Sequence, residues 1–433
     1  MTQRPWVVGN RWDALDGVNP ETLPTVSVIV AHYEQPAELA RTLFALSMQD
    51  YPPELLEIVV TDDGSAGDVR VPDGVILVRQ EDRGFRLAAA RNLGVRASSG
   101  EVLCFLDADT VPEPGYVRAL TRLPALLPEA VTVGRRRHAD FSGIAGEVPV
   151  LEAVTGRDLP EPAWLAQEYA RSRDLLDADD RSYRFVIGAV IACSRRMFDE
   201  TGGFDESFST YGGEDWEWAH RMWQAGAVLA HVPAAVAWHD GPEWAERSGS
   251  GLERANAQSM RLVSSISVSG SAPRGLLSDV PDLVIRLRGT HTAEALFIAV
   301  DSMLAAFPLA RVVVDSAITP FGGDPRVVVG GDGVDARVVW ELDRPVVILD
   351  AAWIAERVAG LGVGAVGAVD LLDAEGSSLG VLRSRRAMRR AVRWGTTETF
   401  ESRRAAADGV FLLRTDPRVE AWVGGWGTRD QFC

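Results

Sequence analysis

The stretch VSVIVAHYEQPAELARTLFALSMQDYPPELLEIVVTDDGS, residues 26–65, decides the fold. Val26 to Ala31 form an almost unbroken apolar run. Leu39, Leu43 and Leu46 then recur on one face of a helical period, and a second apolar run ends at Asp62. Strand, helix, strand is a β-α-β unit, and a parallel strand covered on both faces reads as a continuous apolar run rather than as an alternation. The pattern recurs in GVILVRQ (74–80), the helical FRLAAARNLGVRASSG (85–100) and EVLCFLDADT (101–110). An α/β domain with a Rossmann-like sheet follows.

Polar groups stand where each strand runs out: His32, Tyr33 and Glu34 after the first, Asp62 and Asp63 after the second, Asp107 and Asp109 after the fourth. Ligands of open α/β sheets bind beyond the carboxyl ends of the strands, so these side chains are expected to share one crevice. Asp107 and Asp109 lie among Phe105, Leu106, Ala108 and Val111. Burying an unpaired carboxylate is costly, which calls for a cation, a donor network or water; the plainer alternative is a turn in which Asp109 caps the next helix.

Residues 183–241 add an apolar strand, a short helix, a Gly-punctuated loop and a helix opening at Glu214 and Asp215, with Trp218 and Met222 at core spacing. Acids in a first helical turn are ordinary partners of the helix dipole, and His239 beside Trp238 reads equally well as a packed histidine. The irregular segment from Arg135 to Arg184, with DLPEPAW inside it, has the length of an insertion that carries binding surface.

The 433 residues exceed what one core usually accommodates, so two domains are expected. A net charge of −17 excludes a general nucleic-acid binder, and with no lysine in the chain every phosphate contact would fall to arginine. Three cysteines without paired spacing read as reduced and structural. The N-terminus lacks an apolar leader and no apolar run is long enough to span a bilayer, so a soluble cytoplasmic protein is expected.

Taken in order, VSVIVAHYEQ, VVTDDGS, ARNLGVRASSGEVLCFLDADT, GGFDESF, YGGEDWEW and the later His239 resemble the family 2 glycosyltransferases of the GT-A fold. The pattern is most similar to the bacterial chondroitin-type polymerases and to a galactosyltransferase-like C-terminal motif. The resemblance implies a metal-dependent inverting hexosyl- or N-acetylhexosaminyltransferase that takes a UDP-sugar donor and an acceptor hydroxyl on a glycan, peptide, lipid or metabolite. It implies Tyr33 on the base, Asp62 and Asp63 at the uracil edge, and His32, Glu34, Arg91 and Asp107 in the nucleotide pocket. It further implies Asp109, His239 and Asp107 around Mn²⁺ or Mg²⁺, with Asp215 as general base beside Glu214. The competing readings are a nonenzymatic nucleotide- or glycan-binding protein and a retaining or nucleotidyl transferase on the same fold.

From Pro281 the chain repeats this module faintly: LVIRLRGTHTAEALFIAVDSM echoes SVIVAHYEQPAELARTLFAL, and VLRSRRAM echoes IACSRRMF. PVVILDAAWI is expected in the place of VLCFLDADTV, so that Asp350, Ala351 and Ala352 replace Asp107, Ala108 and Asp109. Thr397 and Glu398 are likewise expected opposite Glu214 and Asp215, and Val423 opposite His239. The predicted layout is an N-terminal extension (1–25), a catalytic GT-A domain (26–245), a linker (246–280) and a smaller, degenerate GT-A-like domain (281–433). That last domain is expected to be noncatalytic and to contact the acceptor, a partner protein or a second subunit.

Overall fold

The computed structural model describes residues 5–242, 251–317, 323–331, 333–424 and 426–433. The chain divides into two compact units, Met1–Arg261 and Leu262–Cys433. The first holds β1 (Val26–His32), β2 (Leu56–Asp62), β3 (Ile76–Arg79), β4 (Val102–Asp107), β5 (Thr110–Pro112), β6 (Ala130–Ala139), β7 (Asp158–Leu159), β8 (Val190–Ser194) and β9 (Val228–Asp240). Its helices are α1 (Pro36–Ser47), α2 (Leu87–Arg96), α3 (Tyr116–Leu126), α4 (Val150–Ala153), α5 (Ala163–Arg171), α6 (Arg195–Thr201), α7 (Glu214–Gln224) and α8 (Gly251–Leu262).

The sheet runs β3-β2-β1-β4-β8-β6-β9-β5, with β7 on β6. β1 pairs in parallel with both β2 and β4, while β8 lies antiparallel between β4 and β6. All seven residues of β1 are buried, as its unbroken apolar run requires. In α1, Pro36 opens the helix and Leu39, Leu43 and Leu46 bury one face. α6 starts where the Ser194 hydroxyl accepts a bond from Met197 N–H and stops at Gly202, whose φ of 81° suits glycine. Trp218 and Met222 of α7 are fully enclosed. The N-terminal residues are part of this unit: Val7 and Leu15 pack with Leu123, Leu127 and Val228, and Asn10 Nδ2 donates to the carbonyls of Leu175 and Leu229. α8 occupies part of the stretch read from sequence as linker. Among the described residues no helix is long and apolar enough to cross a membrane.

The second unit holds β10 (Leu283–Leu287), β11 (Arg311–Val314), β12 (Val327–Val329), β13 (Val338–Leu342), β14 (Val346–Ile348), β15 (Val366–Leu372), β16 (Ser378–Ser384), β17 (Glu401–Ala406) and β18 (Val410–Leu412). Four helices accompany them: α9 (Ala293–Ala306), α10 (Ala352–Gly360), α11 (Arg385–Trp394) and α12 (Val419–Val423). Its seven-stranded sheet, β12-β11-β10-β13-β16-β15-β17, repeats the order β3-β2-β1-β4-β8-β6-β9 of the first unit, while β14 and β18 form a separate pair where β5 joins β9 in the first. The polarities agree too, with β16 antiparallel to β13 and β15, and β17 parallel to β15.

The register corrects three residue equivalences expected from sequence. Val102 pairs with Ser194 and Val338 with Ser384, and in each unit the following arginine N–H bonds the carbonyl one residue before the valine. The counterparts of Asp107, Ala108 and Asp109 are therefore Asp343, Arg344 and Pro345, and not Asp350, Ala351 and Ala352. Two successive apolar runs each end in aspartate here, and sequence cannot tell which is the central strand. Thr110 pairs with His239 and Val346 with Leu412, so His239 corresponds to Leu412. Val423, expected there, lies on α12. Residues 395–400 alone connect α11 to β17, so α7 has no counterpart and Thr397 and Glu398 do not stand in for Glu214 and Asp215.

Candidate active site

A cleft of about 390 Å³ opens at the carboxyl ends of the central strands. His32, Tyr33 and Gln35 enter it from beyond β1, Asp63 from beyond β2, Asp107 and Asp109 from β4 and its exit, and Arg136, His138 and His239 from β6 and β9. Phe85 and Tyr211 close it from two loops, their rings 5.5 Å apart. Of the site residues expected from sequence, Glu34, Asp62, Arg91, Glu214 and Asp215 are not on this wall.

At the β1–β2 end the polar groups form a supporting network. Asp62 is fully buried, accepts from Ser65, forms an ion pair with Arg79 Nε at 3.0 Å and stands 3.0 Å from His32 Nδ1. Both oxygens of this carboxylate have partners, as burial demands. Glu34, at φ 54°, turns away and receives Ala66 N–H at 2.6 Å. Asp63 accepts from Gln80 Nε2 and from Arg86 N–H, and burial raises its pKa above the ordinary carboxylate range. Tyr33 stays 47% exposed, its ring free to take a flat ligand on one face.

Behind the cleft, Arg91 is buried on α2 and ties two elements together, donating to Asp107 Oδ1 at 2.9 Å and to Glu214 Oε1 at 3.1 Å. Its guanidinium also stands 5.4 Å above the Phe204 ring. Asp215 accepts Gly188 N–H at 2.9 Å and Trp216 N–H at 2.8 Å, one bond on each oxygen. Burial, followed by the mutual repulsion of the pair, pushes the Glu214 carboxyl up; burial also raises Asp215. The loop that delivers them depends on Gly212 and Gly213, at φ 89° and 99°, where a side chain would be strained.

Asp109 and His239 meet through main-chain geometry. Thr110 pairs with His239 across β5 and β9, and Asp240 N–H bonds Asp109 O at 2.9 Å. Asp109 Oδ2 thereby stands 3.5 Å from His239 Nε2 and accepts Gln35 Nε2 at 3.3 Å. Thr42 Oγ1 clamps the Ala108 carbonyl at 2.7 Å, fixing the backbone between the two aspartates. A carboxylate and an imidazole at this separation fit a divalent ion held by oxygen and nitrogen donors. Among the described residues no group of three His, Cys, Asp or Glu is assembled for a metal, so other ligands would come from substrate or water. Sequence reading missed Gln35, Phe85, Arg136, His138 and Tyr211. Arg136 and His138 carried a usable signal: two residues apart on one strand, they share a face.

The architecture is a mixed-sheet α/β one, with acids gathered where the strands end. Residues 27–200 match the family Glycosyl transferase family 2, and residues 174–238 match the family described as N-terminal domain of galactosyltransferase. Over residues 27–200 the N-terminal unit is thus similar to the family 2 glycosyltransferases. Hyaluronan synthase of Pasteurella multocida is 28% identical over 252 residues, covering 52% of this chain and 26% of its own. Chondroitin synthase of Escherichia coli is 29% identical over 246 residues, covering 50% and 35%. Validoxylamine A glucosyltransferase of Streptomyces hygroscopicus subsp. limoneus is 32% identical over 229 residues, covering 48% and 49%. The chain thus spans about half or less of the length of these relatives. Among solved structures, a mannosyltransferase from Pyrobaculum calidifontis in complex with GDP-Man and Mn²⁺ is similar at 22% identity and a TM-score of 0.41, covering 62% of this chain and 69% of that one.

Proposed function

We propose that the N-terminal unit is a metal-dependent, inverting glycosyltransferase that moves a sugar from a UDP-sugar to an acceptor hydroxyl. The observation that carries this reading is the convergence of Asp107, Asp109 and His239 in one cleft, with Arg91 linking Asp107 to the head of α7. Tyr33 offers an exposed ring to the base, and Asp63 an acceptor to its edge. His32 is held by Asp62 and faces the same pocket. Asp109 and His239, with Asp107 beside them, would hold Mn²⁺ or Mg²⁺. That ion would supply positive charge to the diphosphate leaving group.

The protein's own chemistry centres on Asp215. Each of its oxygens accepts one backbone N–H, which aims the carboxylate and leaves lone pairs for a proton. The acceptor O–H proton passes to Asp215 as the acceptor oxygen bonds the anomeric carbon. The bond from that carbon to the diphosphate breaks with its electron pair, and UDP departs from the opposite face. A single displacement inverts the centre. Burial keeps Asp215 proton-hungry relative to an exposed aspartate, which suits a base. The second unit retains the sheet while Pro345 and Leu412 stand where Asp109 and His239 would be. We assign it a noncatalytic role, as a platform for acceptor or partner.

Calorimetric titration of UDP into the whole chain, with Mn²⁺ and then with EDTA, tests the reading. Binding that needs the metal is expected; no binding in either condition, in folded protein, would refute it.

A further inference from the structure

The sequence GRRRHA, residues 134–139, puts three arginines in a row on β6. A strand alternates its faces, so neighbours must part company. Arg135 pairs with Glu161 at 2.7 Å, and Arg137 pairs with Asp158 at 2.6 Å and lies 3.9 Å over the Trp238 ring. Arg136 goes the other way and lines the cleft. His138, two residues on, shares that face, and its ring centroid lies 5.0 Å from that of His239. Among the described residues lining the cleft, Arg136 is the one arginine, and Asp63, Asp107 and Asp109 line the cleft with it. Arg91 stands behind the wall and is engaged by Asp107 and Glu214.

A cleft with three carboxylates repels a diphosphate. The cation that Asp109 and His239 would hold is one source of neutralising charge, and the acids left over call for another. A guanidinium presents a planar fork of donors matched to phosphate oxygens and keeps its charge at any working pH. The register places Arg136 opposite Ala237, two residues before His239 and on its face, toward the Asp109–His239 end of the cleft and away from Tyr33 and Asp63 at the base end.

We propose that Arg136 is a substrate-contacting residue that binds the diphosphate of the donor, at the phosphate farther from the nucleoside, and stabilises the charge that develops there as the sugar departs. This rests on the UDP-sugar reading above and adds a residue to it.

The test compares UDP and UMP binding to the whole chain in Mn²⁺, for wild type, Arg136→Gln and Arg136→Lys. Arg136→Gln should weaken UDP binding about tenfold or more, the usual worth of a charge-assisted contact, and UMP binding by about threefold at most. Arg136→Lys should recover part of the UDP affinity. UDP binding by the glutamine variant within about twofold of wild type overturns the proposal, as does equal loss for UDP and UMP. If Arg136→Gln proves unstable, the lysine variant decides: a folded Arg136→Lys protein that loses affinity for UDP and UMP equally overturns it as well. Wild-type protein that binds no UDP would instead refute the donor reading itself, so the two failures are distinct.

Discussion

Replacing Arg91 with leucine should destabilise the N-terminal unit by an amount that grows with pH. Arg91 is buried, and the Glu214 side chain it answers is only 6% exposed. Breaking a buried pair by removing one partner costs about 3–5 kcal/mol, because the other charge is left without compensation. Glu214 has an escape: its pKa is already raised by burial and by Asp215, and losing Arg91 raises it further, so at lower pH it takes up a proton. A carboxyl whose folded pKa lies above its unfolded value exacts no penalty below the unfolded value, about 4.3. The penalty then grows by about 1.4 kcal/mol per pH unit until the folded pKa is reached. The assay is urea unfolding of wild type and Arg91→Leu at pH 5 and pH 8, followed by tryptophan fluorescence. The difference between the proteins should be about 1 kcal/mol larger at pH 8, because Glu214 of the wild type is itself raised to about 7 and the two proteins part only above that pH. Adding Glu214→Gln to Arg91→Leu should remove most of that pH dependence. A deficit that is flat with pH, or one that the second substitution leaves in place, would show that Arg91 acts by packing on Phe204 instead.

Asp215→Asn keeps the shape and cannot accept a proton, so transfer should fall by about 10² to 10⁴ while UDP binding stays near wild type; unimpaired turnover would refute the base role. Because Asp215 is raised by burial, the acid limb of the wild-type rate profile should lie above the ordinary carboxylate range and vanish from the residual activity of the variant. Asp109→Ala and His239→Ala should each weaken Mn²⁺-dependent UDP binding about tenfold or more while melting within about 2 °C of wild type; a lower melting point with intact binding would instead mark them as structural. Gly213→Ala must hold φ near 99° at the entry to α7, so about 1 kcal/mol of stability and much of the turnover should be lost together.

The β-α-β reading of residues 26–65 carried over to the structure because apolar runs and Leu spacing report burial directly, and the unit's sheet follows from them. Convergence of Asp63, Asp107 and Asp109 was legible because strand ends are where such sheets bind ligands, whereas His239 was expected there only through the family resemblance. Side-chain commitment was not legible. Nothing in TDDGS says that Asp62 is consumed by Ser65, His32 and Arg79 while its neighbour Asp63 faces the cleft; a period of two decides it. Phe85 and Tyr211 arrive on loops, whose paths depend on long-range packing rather than on local pattern. The second unit was recognised as a repeat, yet the counterpart of β4 was placed one run too late. VVWELD and VVILD are both apolar runs ending in aspartate, and only hydrogen-bond register separates them.

The pairing of Thr110 with His239, together with the bond from Asp240 N–H to Asp109 O, bears on how this site can change over time. The distance between positions 109 and 239 belongs to the main chain and owes nothing to the side chains those positions carry. Substitutions there alter which ligand is favoured without moving the place where it sits, so preference can drift by single steps on a fixed frame. A one-residue insertion in β9 ahead of Trp238 does the opposite: it turns Trp238 toward the cleft and His239 away, and abolishes the site in one event. Lineages of this fold should therefore vary in the identity of these two residues far more readily than in the length of the strands that hold them.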